Sequence, residues 1–184
     1  MIFTVRQFNP PRLMFTIGRD REKEHARKFL GASSDPALLE SVIDAVHNLL
    51  EGQAISEDTF EAFRRGFVEG RSGTWESTGS WLKKTVREFP ALSSLWHEFA
   101  AHASAQIRFR TAAHITDMPE AEAQKLLPIL LADRSAKVRS KASGDMHTTK
   151  WAWAFDLLRD RRQVESDSSV IDSLDFALSS RSSV

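Results

Sequence analysis

Apolar residues recur along most of this chain at intervals of three and four, the period of a helix with one buried face. The clearest stripe is Leu38, Leu39, Val42, Val46, Leu49 and Leu50. It opens on Asp35-Pro36, a polar cap followed by the residue whose fixed φ and missing N–H suit a first helical turn. Before it, Arg19–Leu30 has helical character and is closed by Gly31 and Ser33-Ser34. After it, Ser56 starts a helix through Phe60, Phe63 and Phe67, and Trp81–Phe89 resumes the pattern. Leu92, Leu95, Trp96, Phe99 and Ala103 then share one face of a helix over Leu92–Ala103. Two stretches break the rhythm. Ile2–Val5 and Leu13–Ile17 are β-prone runs around Asn9-Pro10-Pro11, which fits either a small hairpin or an extended arm over residues 1–18. Gly66–Gly79 holds four glycines and reads as a flexible inter-helix connection. It lacks the Gly-x4-Gly-Lys-Ser/Thr order of a phosphate loop, and no apolar strand precedes it.

The most ordered stretch is Leu126–Ala142, Leu-Leu-Pro-Ile-Leu-Leu-Ala-Asp-Arg-Ser-Ala-Lys-Val-Arg-Ser-Lys-Ala. Pro128 removes a backbone donor and bends the first helix. Asp133 stands at the corner, where a carboxylate accepts from the free N–H groups opening the next helix. Val138 and Ala142, four apart, lie on one face, and the small Ala lets two helices approach closely. Shifted back by 31 residues, Val138-Arg139-Ser140-Lys141 falls on Ile107-Arg108-Phe109-Arg110 and Ala136 on Ala105. The earlier copy departs from the later one, with His102 at the corner and Thr111 in place of the Ala.

A helix pair with a corner Asp, a following Val-Arg and a period of this length resembles the HEAT repeat, over about residues 90–165. The resemblance implies an all-α fold, a short HEAT-like α-solenoid of about three helical hairpins. The arm at 1–18 would precede a diverged helical region at 19–89, and a capping helix with a flexible tail would occupy 166–184. It also implies that Arg139 and Arg108 bond the corner of their own or a neighbouring repeat.

Composition narrows the classes of function. A chain of 184 residues is long enough for one domain with a full core. It has no cysteine, which excludes disulfides, thiolate zinc sites and a cysteine nucleophile. Arg6 and the two prolines break the opening apolar run, so no signal peptide is expected there. No apolar window is long enough for a membrane span, and a soluble cytoplasmic protein is expected. Basic and acidic residues balance at 25 each. The balance hides an asymmetry, since residues 1–32 carry seven basic and three acidic side chains. From Ser33 to Ala62 there are seven acidic ones and no Lys or Arg. Such a face is either solvated surface or a docking surface for a basic protein, with Asp44, Glu51 and Asp58 as candidate contacts.

A helix over Lys150–Arg162 places Trp151, Phe155 and Leu158 on one face and Trp153 and Leu157 nearly opposite. Such a helix is either sandwiched between layers or presents Trp153 and Leu157 to a partner. No catalytic constellation emerges. His97 and His102 are five apart, the wrong helical spacing for one metal, and His114 and His147 fall near helix ends where an imidazole can satisfy terminal carbonyls. There is no Gly-x-Ser-x-Gly elbow. No cofactor and no enzymatic activity are expected. The leading expectation is a non-catalytic protein-binding module, in one concrete form an immunity-type inhibitor that occludes a toxin. The alternative is a nucleic-acid binder or repair protein using Arg108, Arg110, Lys137, Arg139 and Lys141 on a basic concave face. HEAT-like folds include DNA glycosylases that use an Asp among aromatic rings, but Trp151, Trp153 and Asp156 do not share one helix face.

Overall fold

Side-chain caps set several of the helix starts. Ser56 and Thr59 exchange bonds in a capping box, Ser104 Oγ accepts from the Gln106 N–H, and Asp167 accepts from the N–H groups of Ser169 and Val170. The computed structural model describes residues 17–30 and 34–180. Among these the chain is all-helical without a strand. Its ten α-helices are α1 (Arg19–Phe29), α2 (Pro36–Leu50), α3 (Glu57–Val68), α4 (Gly73–Glu88), α5 (Ser94–Ala100), α6 (Ala105–Ala113), α7 (Glu120–Leu131), α8 (Ala136–Gly144), α9 (Ala152–Val164) and α10 (Ser168–Ser179). The hairpin or arm expected over 1–18 lies outside the described residues but for its last two positions, and so do the final four residues of the tail.

Consecutive helices pack in pairs, α1 on α2, α3 on α4, α5 on α6, α7 on α8 and α9 on α10. That makes five pairs among the described residues where about three hairpins were expected. Every second helix also touches the next of its kind: α2 on α4, α4 on α6, α6 on α8 and α8 on α10. In the other row α5 meets α7 and α7 meets α9. The apolar stripes face inward between the rows. Val42, Val46, Phe63, Phe67, Trp96, Leu127, Val138, Phe155 and Leu174 are all fully buried or nearly so, within one connected cluster from Ala26 to Ala177.

The glycine-rich middle is not a flexible connection. Gly66 lies inside α3, Gly73 and Gly79 lie inside α4, and only Glu69–Ser72 links the two helices. Close approach explains the glycines. A Cβ at Gly66 would come within 2.6 Å of Thr78 Oγ1, and one at Gly79 within 2.1 Å of His114 Nε2. Asp35 stands at the N-cap of α2 with Pro36 after it, as expected, but its side chain makes no capping bond. Its carboxylate takes the Arg71 guanidinium and backbone N–H, and its own N–H donates to Thr74 Oγ1, so Asp35 ties the start of α2 to the start of α4.

Two glycine substitutions separate close packing from helix propensity. Gly79→Ala is expected to lower stability by about 2 kcal/mol in urea titration, because overpacking against a caged ring outweighs the propensity gain. Gly144→Ala, whose new Cβ would meet nothing closer than Ser173 Cβ at 3.8 Å, is expected to be neutral or slightly stabilising.

Candidate functional site

The helix-pair corners share a hydrogen-bond pattern that their residue types hide. At each of three corners, the side chain accepts from the backbone N–H two residues on: His102 Nδ1 from Ser104 at 3.0 Å, Asp133 Oδ1 from Ser135 at 2.8 Å, and Glu165 Oε1 from Asp167 at 3.0 Å. Arg108, on α6, donates through Nη1 to the carbonyls of His102 and Ala103 and grips Asp133 through Nε and Nη2, at 2.5 and 3.0 Å. Arg139, on α8, repeats the move. Its Nη1 donates to the Asp133 carbonyl at 2.8 Å, and its Nε and Nη2 hold Glu165 at 2.8 and 2.9 Å. Two arginines 31 residues apart thus bridge three corners.

Burial makes these bridges strong in their consequences. The Arg108 and Asp133 side chains are 7% and 6% exposed. Burial opposes the Asp133 charge, but Arg108 and the Ser135 N–H outweigh it and hold the carboxyl below its ordinary range. Arg139 does the same for Glu165 against burial, helped by Arg161 and the N–H groups of Asp167 and Ser166, and pushes it far down. Neither carboxylate is available as a proton donor near neutral pH. Glu165 is the corner that sequence reasoning missed, because nothing but its place, 32 residues after Asp133, marks it.

The basic candidates are mostly spent inside the fold. Arg108 and Arg139 form the bridges, and Lys141 pairs with Asp145 at 2.6 Å. Arg110 points inward, where Nη1 donates to the carbonyls of Phe67 and Val68 at the end of α3 and the guanidinium lies 5.3 Å from the Trp75 ring centre. Lys137 is exposed.

The acidic candidates divide. Asp44 pairs with Lys23 at 2.6 Å and with Arg19 at 3.5 Å, and Glu51 pairs with Arg19 at 2.8 Å. Asp58 is exposed and lines a polar groove of about 330 Å³ between α2 and α3, with Ser41, Asn48 and Gln53.

Trp153 and Leu157 are half-buried. The expected opposition of Trp151 and Trp153 does not occur. Trp151 precedes α9 in extended backbone, so it has no helix face, and its ring stacks on Trp153 with centres 5.6 Å apart. Trp153 Nε1 donates to Glu120 at 2.7 Å, which ties α9 to the start of α7. Asp156 is exposed and pairs with Arg159, away from any enclosed site.

A buried polar knot also escaped the sequence. His114 follows α6 and sits among Phe67, Trp75 and Trp96, with ring centres 5.7 to 6.0 Å away. Its Nε2 has no hydrogen-bond partner, nor do Trp96 Nε1 and Arg110 Nε. His114 therefore does not play the carbonyl-satisfying role expected for it, whereas His147 does, through Nδ1 and the Gly144 carbonyl at 2.7 Å. The other paired histidines meet carboxylates, His47 with Glu22 and His97 with Glu122. Among the described residues no group of three His, Asp or Glu side chains could hold a metal ion. No helix among the described residues is long and apolar enough to cross a membrane. No family model matches the chain, and neither does any curated protein or any solved structure.

Burial pushes His114 down to about 4 from its ordinary 6.5, with Lys83 adding to the effect. The unfolded imidazole takes a proton below about 6.5 and the folded one only near 4, so stability is full above pH 6.5 and falls as the pH drops through that window. The loss amounts to about 3 kcal/mol at its limit. Urea titrations of the wild type and His114→Gln from pH 7.5 to 4.5 should diverge, the wild type losing stability more steeply.

Proposed function

We propose that this chain is a HEAT-like helical repeat protein that works as a non-catalytic binding module for a protein partner. The observation that carries this reading is the repeated corner, bridged by Arg108 and Arg139 in the same way one period apart. Such bridges fix successive helix pairs in one orientation, and a stack of pairs offers its outward helix faces as a surface rather than a cleft. The pattern of committed charges supports the same reading over nucleic-acid binding. A phosphate backbone would need cations directed outward, whereas Arg108, Arg110 and Arg139, three of the five basic candidates, are turned into the fold.

The surface best suited to a partner is the polar side of α2 and α3, where Asp58 stands exposed beside Glu57 and Glu61. One concrete form is an immunity-type inhibitor that covers the active surface of a basic toxin, which agrees with the acidic run over 33–62.

Affinity capture with the tagged protein from nuclease-treated lysate of its own cells is expected to retain one protein in near-stoichiometric amount. Asp58→Lys, which breaks no ion pair among the described residues, should weaken that complex about tenfold, mainly through slower association. Recovery of DNA or RNA alone from untreated lysate, with binding that collapses as salt rises, would overturn the reading.

A further inference from the structure

The local charge asymmetry of the sequence becomes a ladder in the structure. On α1, Arg19, Lys23 and Arg27 recur every four residues and so share one face. Glu40, Asp44 and Asn48 of α2, with Glu51 just past its end, form the facing stripe. Arg27 holds Glu40 at 2.6 Å, Lys23 holds Asp44 at 2.6 Å, and Arg19 reaches Asn48 at 2.9 Å and Glu51 at 2.8 Å. Beneath the ladder Glu22 and His47 make a buried contact of 2.6 Å.

What α1 lacks is apolar anchorage. Only Glu22 and Ala26 are buried along its length, and its principal packing is against α2. Phe29, its one large apolar side chain, is 66% exposed. Its other flank borders an open groove of about 430 Å³, lined by His25 and Phe29 on one side and by Ser77, Trp81 and Lys84 of α4 on the other. Apart from the buried Glu22–His47 bond, Ala26 and the flanking Leu30, α1 is held by partly accessible ion pairs, so it opens at lower cost than the body it covers, and salt loosens it.

We infer that α1 is a displaceable cover, seated where a cationic helix of the partner docks, and that it holds that place in the free protein. The recognition chemistry is that of α1 itself: cations four residues apart along one helix face, with a small residue between them toward α2. This deepens the binding-module reading and rests on it. Displacing α1 uncovers Leu39 and Ile43 beside the acidic stripe, so the incoming helix gains an apolar strip as well as charge. A partner whose cationic helix buries more apolar surface than α1 does would win the exchange.

The test begins with hydrogen exchange on the full chain alone, which needs no partner and so fails or succeeds independently of the binding reading. Amides of α1 are expected to exchange at least tenfold faster at about 0.5 M NaCl than at about 0.05 M, while those of α7 and α8 stay unchanged. The second arm measures, by fluorescence anisotropy, binding of a peptide of sequence 17–30 held helical by a staple across positions 24 and 28, which face solvent. Arg19→Glu/Lys23→Glu/Arg27→Glu, which repels its own α1 from α2, should bind this peptide at least tenfold more tightly than the wild type, and the gain should vanish at high salt. Where the triple variant is poorly folded, Lys23→Glu alone gives a smaller gain of the same sign. Protection of α1 equal to that of α7 and α8 at both salt concentrations would overturn the inference. So would equal peptide binding by variant and wild type.

Discussion

The structure depends on guanidinium groups that close gaps between helix pairs where backbone alone leaves carbonyls and carboxylates exposed. Every corner between paired helices ends one helix with free C=O groups and starts the next with free N–H groups, and buried corners must satisfy both. Arg108 and Arg139 do so across two corners at once, because one planar fork carries enough donors for a carbonyl on one side and a carboxylate on the other. Lysine could not span the same distance with the same fixed geometry. The carboxylates are held ionised at neutral pH by these contacts, so each bridge is a charge pair kept out of water by the helices it joins.

The two ends of the chain use charge differently. In the C-terminal half the Arg108–Asp133 and Arg139–Glu165 pairs are buried and lock helix pairs together. At the N-terminus all but the buried Glu22–His47 pair are partly accessible, and they hold α1 on α2 with little apolar surface beneath. The same residue types therefore give rigidity in one place and reversibility in the other, and burial decides which. Between them lies the knot of Arg110, His114 and Trp96, where α4 and α6 come so close that only glycine fits at position 79. Burial of His114 makes this joint lose stability in acid.

Much of the fold was legible because it rests on period and punctuation. The stripe of Leu39, Val42, Val46 and Leu49, the cap at Ser56, and the corner at Asp133 each carry a local signal, and each stands where the pattern puts it. Gly66–Gly79 misled because glycine in a helix usually marks a break, whereas here it marks contact with Thr78 and His114, partners remote from it in sequence or known only from the packing. Trp151 misled because a single residue outside the helix leaves the helical period altogether. The candidate charges were visible as residues but not as partners. That Asp44 and Glu51 face Arg19 and Lys23, or that Arg108 reaches Asp133, depends on which helices lie side by side, and local pattern does not encode it.

The bridges can be weighed directly by a double-mutant cycle across Arg108 and Asp133. Arg108→Met and Asp133→Leu singly leave a buried charge unpaired, and each is expected to cost about 3 kcal/mol or more in urea titration. The double variant removes both charges and should recover a large part of that loss, a coupling of about 2 kcal/mol. Losses that simply add would mean that the two side chains stabilise the corners separately, and that no bridge between helix pairs holds the stack.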